Sequence, residues 1–159
     1  MPNEPKANEN QPAALNPVAR RNARRYCLQA MYVRSMSGTS IPDIEHEFIH
    51  HHIKKVFDID YFKALLYGIA AHQAEVDQEI NAVIERTLEE LDRVEYAVLQ
   101  VATYELLMRP DVPYRVIINE ALELTKKYGS IEGYKFVNGV LDKIAKKKRI
   151  LEIASDNKL

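Results

Sequence analysis

The sequence lacks the features that mark disulfide-bonded, secreted and membrane-spanning proteins. It contains a single cysteine, Cys27, so no disulfide can form within the chain, and this fits a reducing compartment. No apolar run approaches the ~18 residues of a membrane-spanning helix. Residues 1–17 have no apolar segment of the kind that signal peptides carry. These absences predict a cytoplasmic protein with no membrane contact.

Glycine and proline are also scarce, which bears on the fold class. Only 5 glycines and 7 prolines occur among 159 residues, while hydrophobic residues make up 47% and charged residues 28%. Leucine, alanine, glutamate and lysine are abundant, and this composition favours helices over a turn-rich β fold. The chain is long enough for one domain with a hydrophobic core.

The motifs of catalysis and cofactor binding are missing as well. No glycine-rich phosphate loop, Rossmann fingerprint or nucleophile elbow occurs, and the carboxylates follow helical surface positions rather than a convergent pair. His46 and His50 stand four residues apart and offer two metal ligands, but a closed site needs more ligands, and no cysteine cluster supplies them. We therefore predict a protein that is not an enzyme and holds neither a cofactor nor a metal.

Charge is distributed unevenly along the chain, although the net charge is only −1. Four arginines lie within residues 20–25, and five basic residues lie within residues 143–149. Between them, residues 75–95 hold eight acids against two bases. Basic ends around an acidic middle suit two different partners, and the alternative is that all three segments are solvated helix faces.

Helical periodicity predicts an all-α fold of about six or seven helices in one domain, residues 16–154. The predicted helical segments run over about residues 17–36, 40–53, 58–84, 87–106, 113–128 and 130–150. Asn16 and Pro17 suit a helix start, Gly38 suits a helix end, and Ser130 suits the cap of the last helix. Residues 1–15 are predicted to be a disordered tail and residues 155–159 a C-terminal tail.

The first helix carries its arginines on the side opposite its apolar stripe. The stripe is formed by Ala19, Ala23, Tyr26 and Ala30, with Cys27 beside it. Like charges four residues apart, as in Arg20 and Arg24, repel by a few tenths of a kcal/mol, and positive charge also opposes the dipole at a helix N-terminus. A nucleic-acid backbone would reverse this cost, since guanidinium groups bind phosphate bidentately. Tyr32 projects near the same side and could stack on an unpaired base. The alternative is a solvated face whose arginine stems cover apolar surface.

Three segments taken together resemble the bacterial NusB family of transcription antitermination and RNA-processing factors. The first is Ala-Arg-Arg-Asn-Ala-Arg at residues 19–24, continued by Gln-Ala-Met-Tyr at residues 29–32. The second is Asp-Val-Pro-Tyr at residues 111–114, which leads into Ile-Asn-Glu-Ala-Leu-Glu-Leu at residues 118–124. The third, Lys-Phe-Val-Asn-Gly-Val-Leu-Asp at residues 135–142, is the most specific of the three.

The resemblance implies a fold and a function. It implies two perpendicular three-helix bundles that bind the single-stranded boxA element of nascent RNA as a heterodimer with ribosomal protein S10, which is also called NusE. This pair joins Nus factors A and G on RNA polymerase and supports ribosomal RNA synthesis by resisting termination. Some family members form homodimers, and the sequence leaves self-association open. Two other functions stay open: a scaffold that binds only proteins, and an accessory RNA-binding domain like that of ribosomal RNA cytosine methyltransferases.

The resemblance also implies which residues contact RNA. These are Arg20, Arg21, Arg24, Tyr32, Glu132, Lys135 and Phe136. Two positions depart from the family pattern: Asn22 replaces an expected basic residue, and Arg25 replaces an expected acid. Phe136 is either a core residue or a platform on which a base stacks.

For the protein partner, a small ribosomal protein is typically basic and would suit the acidic residues 75–95. Glu95 and its helical neighbour Leu99 are the predicted contacts.

In the last predicted helix, Gly133 and Gly139 each cost up to ~1 kcal/mol relative to alanine, which the close approach of another backbone or of RNA would justify. The basic run that ends at Arg149 is predicted to be a solvated helix end, with a second RNA contact as the alternative.

Overall fold

The computed structural model describes residues 16–157, and over that range it contains eight α-helices, a short 3-10 helix at Leu88–Glu90 and no strand. The predicted all-α fold is confirmed, whereas the predicted tail at residues 1–15 lies outside the described residues. The helices are α1 (Pro17–Ser37), α2 (Ile41–His52), α3 (Ile59–Ala71), α4 (Gln73–Asn81), α5 (Arg93–Met108), α6 (Tyr114–Tyr128), α7 (Ile131–Lys148) and α8 (Ile150–Asp156).

Local sequence signals set the ends of α1 and the start of α7. The side chain of Asn16 accepts hydrogen bonds from the backbone N–H groups of Val18 and Ala19, at 3.0 and 3.2 Å. Gly38 ends α1 in the left-handed conformation, with φ of 69°. The Ser130 hydroxyl accepts a hydrogen bond from the backbone N–H of Gly133 at 2.9 Å. These ends confirm the predicted caps, because a cap depends on residues that are adjacent in the chain.

Three predicted helix boundaries are wrong, and each has a local cause. The segment predicted as one helix over residues 58–84 is interrupted at His72, and α4 ends at Asn81. The helix predicted to begin at residue 87 begins instead at Arg93, where the Asp92 carboxylate caps α5 by accepting from the backbone N–H groups of Val94 and Glu95 at 2.9 and 3.1 Å. The last helix breaks at Arg149, which separates α7 from α8.

The described helices group into two compact units that divide between Tyr67 and Gly68. The predicted domain over residues 16–154 contains both units and remains a prediction.

In the first unit, an aromatic cluster lies against α1, where the His52 ring stacks on the Tyr26 ring with 3.7 Å between centroids and an angle of 11°. Phe57 meets Tyr26 edge-on at 4.9 Å, and such pairs add to the stability that burial alone supplies.

The second unit packs α4 to α8 around a core of aliphatic side chains. Its fully buried members include Ile80, Leu99, Ile117, Leu141 and Ile144. The side chain of Tyr104 lies against Gly68, and a Cβ atom on this glycine would overlap the Tyr104 hydroxyl group. The absence of a side chain at Gly68 therefore makes room for the Tyr104 ring.

Arg149 holds the second unit together from inside, so the prediction that it belongs to a solvated helix end is wrong. Its side chain is buried, with 7% of its surface exposed, and it pairs with the Glu152 carboxylate at 2.7 Å. Its guanidinium donates to the backbone carbonyls of Glu105, Leu106, Arg109 and Val112, at 2.8 to 3.1 Å. A helix leaves its last carbonyls without partners inside the helix. Arg149 therefore binds two carbonyls in the last turn of α5, 43 and 44 residues earlier in the chain, and two in the residues that follow α5, 37 and 40 residues earlier.

The lysines before Arg149 do lie at the surface, where they make ion pairs. Lys146 contacts Asp142 at 3.0 Å. Lys147 and Lys148 both contact the Glu79 carboxylate, at 3.5 and 3.0 Å. The basic run thus links α7 to α4.

The His52–Tyr26 stack predicts an acid-sensitive first unit. Burial lowers the pKa of His52 below the ordinary 6.5, and the neighbouring charges of His51, Arg25 and Lys55 lower it further. The unfolded chain therefore binds a proton at a pH where folded His52 stays neutral. This contribution to stability is present above pH 6.5 and is lost as the pH falls towards the folded-state pKa.

We expect the substitution His52→Phe, which keeps an aromatic ring against Tyr26, to flatten this acid dependence. Thermal unfolding measured between pH 5 and pH 8 (about one and a half units on either side of the ordinary histidine pKa) checks it. His50 is exposed, so His50→Gln is the matched control and should show the wild-type dependence of melting temperature on pH. An unchanged slope in His52→Phe would show that other groups govern the acid sensitivity.

Candidate nucleic-acid interface

The arginines of α1 differ in exposure, because α1 is buried on more than one side. Arg21 is exposed and Arg20 is half-buried, whereas Arg24 has only 4% of its surface exposed. The predicted position of Arg24 on the solvent side is therefore wrong. The sequence did carry a signal: Leu28 and Met31, four and seven residues further on, lie on the same face as Arg24 and are buried.

Arg20 is held in place by two residues of the first unit. Its Nε donates to the Asp58 carboxylate at 3.4 Å, and its guanidinium lies 3.8 Å from the centre of the Tyr61 ring. Asp58 also caps α3, since its other carboxylate oxygen accepts from the Tyr61 N–H at 3.0 Å. Within residues 16–157, the remaining N–H donors of Arg20 make no hydrogen bond. Arg20 is therefore oriented on a rigid aromatic support with most of its donors available.

Asn22 and Arg25, which depart from the family pattern, have roles inside the first unit. The Asn22 side chain donates to the backbone carbonyl of Val56 at 2.7 Å and so ties α1 to the segment before α3. The Arg25 guanidinium lies 5.3 Å from the centre of the Tyr26 ring. Asn22 therefore has a structural role within the first unit.

Tyr32 lies on the same side of α1 as Arg21, because eleven residues bring the helix to within about 20° of its starting direction. Its side chain is exposed, at 39%. An exposed ring that follows an exposed guanidinium along one helix face suits a single-stranded nucleic acid, whose bases stack while its phosphates bind cations.

The other predicted RNA contacts lie in the second unit, at the start of α7. Glu132 and Lys135 are exposed, and Phe136 is half-buried. The Arg86 guanidinium lies 4.5 Å from the centre of the Phe136 ring. The sequence does not indicate Arg86, since 50 residues separate it from Phe136 and it sits in an acidic stretch. The structure thus adds a cation to the predicted cluster.

Glu95, one of the two predicted partner contacts, lies against the first turn of α7. A Cβ atom on Gly133 would come within 2.5 Å of its Oε1 atom, so this glycine makes room for the carboxylate. Partial burial raises the pKa of Glu95 above its ordinary value, and the Asp92 carboxylate adds to this. Leu99, the other predicted contact, has no exposed surface. The prediction for Leu99 is wrong, because its side chain completes the core.

Only part of the acidic stretch remains for a partner. Asp77 accepts from the Tyr96 hydroxyl at 2.5 Å, Glu79 binds lysines of α7, and Asp92 caps α5. Three other carboxylates are exposed and make no hydrogen bond or ion pair within residues 16–157; they are Glu85, Glu89 and Glu90. Together with half-buried Glu95, they form the acidic surface of the second unit.

The histidines of α2 lie close together without forming a metal site with other described side chains. The His46 and His50 rings are 6.4 Å apart, centre to centre. Over the described part of the chain, no three side chains of histidine, cysteine, aspartate or glutamate are grouped to hold a metal ion. No helix in residues 16–157 has the length and apolar character needed to cross a membrane.

Comparison with known protein families identifies a match over most of the chain. Residues 21–146 match the model of the NusB family. The Transcription antitermination protein NusB of Shewanella woodyi is 49% identical over 134 residues, which cover 84% of this chain and 100% of the relative. The protein of the same name from Serratia proteamaculans is 50% identical over 131 residues, which cover 82% of this chain and 95% of the relative.

Solved structures show the same similarity in three dimensions. NusB of T. maritima is 33% identical with a TM-score of 0.71, over 80% of this chain and 90% of that one. A crystal structure of the antitermination factors NusB and NusE in complex with dsRNA gives a TM-score of 0.76 at 26% identity, over 82% of this chain and 98% of that one. The fold and most of the length are therefore shared with these proteins.

Proposed function

Because this chain belongs to the NusB family, we propose that it is a transcription antitermination factor that binds single-stranded boxA RNA together with ribosomal protein S10. In this role it is not an enzyme; it works in the cytoplasm as an adaptor that brings RNA and S10 to RNA polymerase with Nus factors A and G. The observation that carries the RNA-binding part is the arginine surface of α1, which we define as Arg20, Arg21 and Tyr32.

The arginine surface has the chemistry that a flexible RNA strand requires. Arg20 is fixed against Tyr61, so little side-chain entropy is lost when it binds a phosphate. Exposed Arg21 adds a second cation, and the Tyr32 ring offers a base an aromatic face. Arg24 supports this surface from below, with its guanidinium 5.4 Å from the centre of the Tyr61 ring.

The second unit supplies a further RNA-binding surface in this proposal, formed by Glu132, Lys135 and Phe136 of α7. The Lys135 ammonium suits a phosphate, and the Glu132 carboxylate can accept hydrogen bonds from the amino groups of bases. Arg86 lies on one face of Phe136. The aromatic ring and the guanidinium plane both suit stacking on unpaired bases.

Titration of fluorescently labelled boxA RNA tests the proposal. We expect single-stranded boxA to bind more tightly than a duplex of the same sequence, and S10 to raise the affinity further. If Arg20, Arg21 and Lys135 each neutralise one phosphate, the slope of log affinity against log salt should be about −2. Affinity that does not depend on salt, or a preference for the duplex, would contradict the proposal. If the protein bound S10 but did not bind boxA RNA, a scaffold that binds only proteins would be favoured.

For the partner, we expect Glu95→Gln to weaken S10 binding. The substitution keeps the shape of the side chain beside Gly133 but removes the charge that a basic partner would meet. A buried, charge-assisted contact contributes about 1.5–3 kcal/mol, which corresponds to a loss of affinity of about 10-fold or more. Isothermal titration calorimetry with purified S10 measures it.

Glu89→Gln is the matched control, because it removes an exposed carboxylate from the same acidic stretch. It should change S10 affinity little, as surface charges contribute weakly. Because the pKa of Glu95 is raised, Glu95→Gln should also be more stable than wild type at neutral pH and lose this advantage in acid. Normal S10 binding by this variant would place the contact elsewhere.

A further inference from the structure

Gly139 lies in the interior of α7, where nothing in its own unit requires a glycine. It is exposed, and a Cβ atom placed on it would meet no atom within 4 Å. Glycine inside a helix is less favourable than alanine, because it loses more backbone entropy. Gly68 and Gly133 differ from it, since Tyr104 and Glu95 occupy the space that their side chains would take. The described structure therefore gives a reason for those glycines and none for Gly139.

The position of Gly139 on α7 connects it to the second RNA-binding surface. It follows Phe136 by three residues and precedes Lys143 by four, and residues with these spacings are neighbours on one helix face. Glu132 and Lys135 belong to the same face, which extends roughly 16 Å from Glu132 to Lys143 at 1.5 Å per residue. Gly139 is thus the low point in the middle of a row of longer side chains.

Charge on this face favours an anionic strand. Within residues 16–157, no carboxylate lies within ion-pair distance of Lys135 or Lys143. Lys146, one turn further on, is already paired with Asp142 at 3.0 Å. The Arg86 guanidinium on the Phe136 ring adds a third cation near the start of the face. Three cations against the two carboxylates of Glu132 and Glu95, which lies beside Gly133, leave a positive balance that attracts a phosphate backbone.

We propose that Gly139 is the point where the sugar–phosphate backbone of single-stranded RNA lies directly against α7, and that Lys143 binds the phosphate that follows. The inference rests on the proposed RNA-binding function and extends its second surface beyond Phe136. A missing side chain lets the strand approach the helix backbone closely, as glycines do at other sites of backbone approach. The stability given up at residue 139 is then offset by a contact made only in the complex.

The test is to replace Gly139 by alanine, which should raise the stability of the protein and lower its affinity for RNA. Gly139→Ala should raise the melting temperature by about 2–4 °C, because alanine is the better helix former. The same variant should bind labelled single-stranded boxA RNA about 3- to 10-fold more weakly, and Gly139→Leu more weakly still, since each side chain lifts the strand from the helix. Lys143→Ala should lower the affinity about 3-fold or more and reduce the salt slope by about 0.7.

Asn138→Ala is the matched control, because Asn138 is the exposed neighbour of Gly139 but points about 100° away from it. It should also stabilise α7 while keeping wild-type affinity. If Lys135→Ala weakens binding but both Gly139 variants bind as wild type does, the inference is overturned and the proposed function stands. If wild-type protein does not bind the RNA, the proposed function fails. Circular dichroism of each variant verifies that the helices are intact.

Discussion

Replacement of Arg149 by methionine is expected to cost about 3–5 kcal/mol of unfolding free energy and to lower the melting temperature by on the order of 10 °C. The methionine fills a similar volume but donates no hydrogen bond. The carbonyls of Leu106 and Val112 would lose the guanidinium donor. Those of Glu105 and Arg109 would keep only the backbone N–H groups that they already bind. The Glu152 carboxylate would lose its ion pair and keep only the Tyr114 N–H. Each unsatisfied buried polar group costs about 1–3 kcal/mol before the structure relaxes.

Lys146→Met is the matched control, because it removes a cation three residues earlier whose ion pair with Asp142 is exposed. Its effect should stay within about 1 kcal/mol. The stability of Arg149→Lys should lie between those of the two methionine variants. A single ammonium group cannot reach all the carbonyls that surround the planar guanidinium of Arg149. Chemical denaturation followed by circular dichroism measures all three. Equal stability of Arg149→Met and Lys146→Met would contradict the prediction and would mean that water replaces the guanidinium as the donor to these carbonyls.

The double substitution of Arg20 and Arg21 by alanine is expected to lower the affinity for single-stranded boxA RNA by on the order of 100-fold. Two charge-assisted contacts of about 1.5–3 kcal/mol each are removed. Because two phosphates are no longer neutralised, the slope of log affinity against log salt should move towards zero by about 1.4. Fluorescence anisotropy at several salt concentrations provides both values in one experiment.

Two comparisons make this result specific. Lys126 and Lys127 of α6 are exposed, and their double alanine variant changes the net charge equally but should leave RNA affinity close to wild type. Arg24→Ala should lower stability more than either double variant, because this arginine is buried. An Arg20 and Arg21 variant with normal affinity would exclude the arginine surface as the RNA site.

The parts of the fold that the sequence predicts correctly are those governed by neighbouring residues. The cap at Asn16, the left-handed end at Gly38 and the cap at Ser130 each involve atoms within four residues. The apolar stripe of α1 follows from helical spacing alone, and Ala19, Ala23, Tyr26, Cys27 and Ala30 are all buried.

The parts that are mispredicted depend on contacts between residues far apart in sequence. Arg149 reads as the last of a run of surface cations, but its carbonyl partners are about 40 residues earlier in the chain. Asp58 relieves the charge repulsion of the arginine helix from 38 residues away, although no acid lies among residues 20–25. Side-chain periodicity carries no information on such pairs.

For the candidate site, the sequence supplied the residues but not their exposure or their supports. Three blocks of residues indicated the family, and Arg20, Arg21, Tyr32 and Lys135 are at least partly exposed, as an RNA contact requires. Leu99 lies on a helix whose middle is buried all round, so no stripe separated surface from core there. Arg86 joins the site through its contact with Phe136, 50 residues later in the chain, which no local pattern predicts.

The dependence of α5 on Arg149 also sets an order of events during synthesis. Leu106 leaves the ribosome 43 residues before Arg149 does, which is about 2 to 9 seconds at bacterial elongation rates of roughly 5–20 residues per second. Throughout that interval the Leu106 carbonyl at the end of α5 has no guanidinium donor and must be hydrated. The second unit can therefore reach its final packing only after residue 149 has left the ribosome. A nascent chain halted within α7 would expose a half-built core to chaperones and proteases.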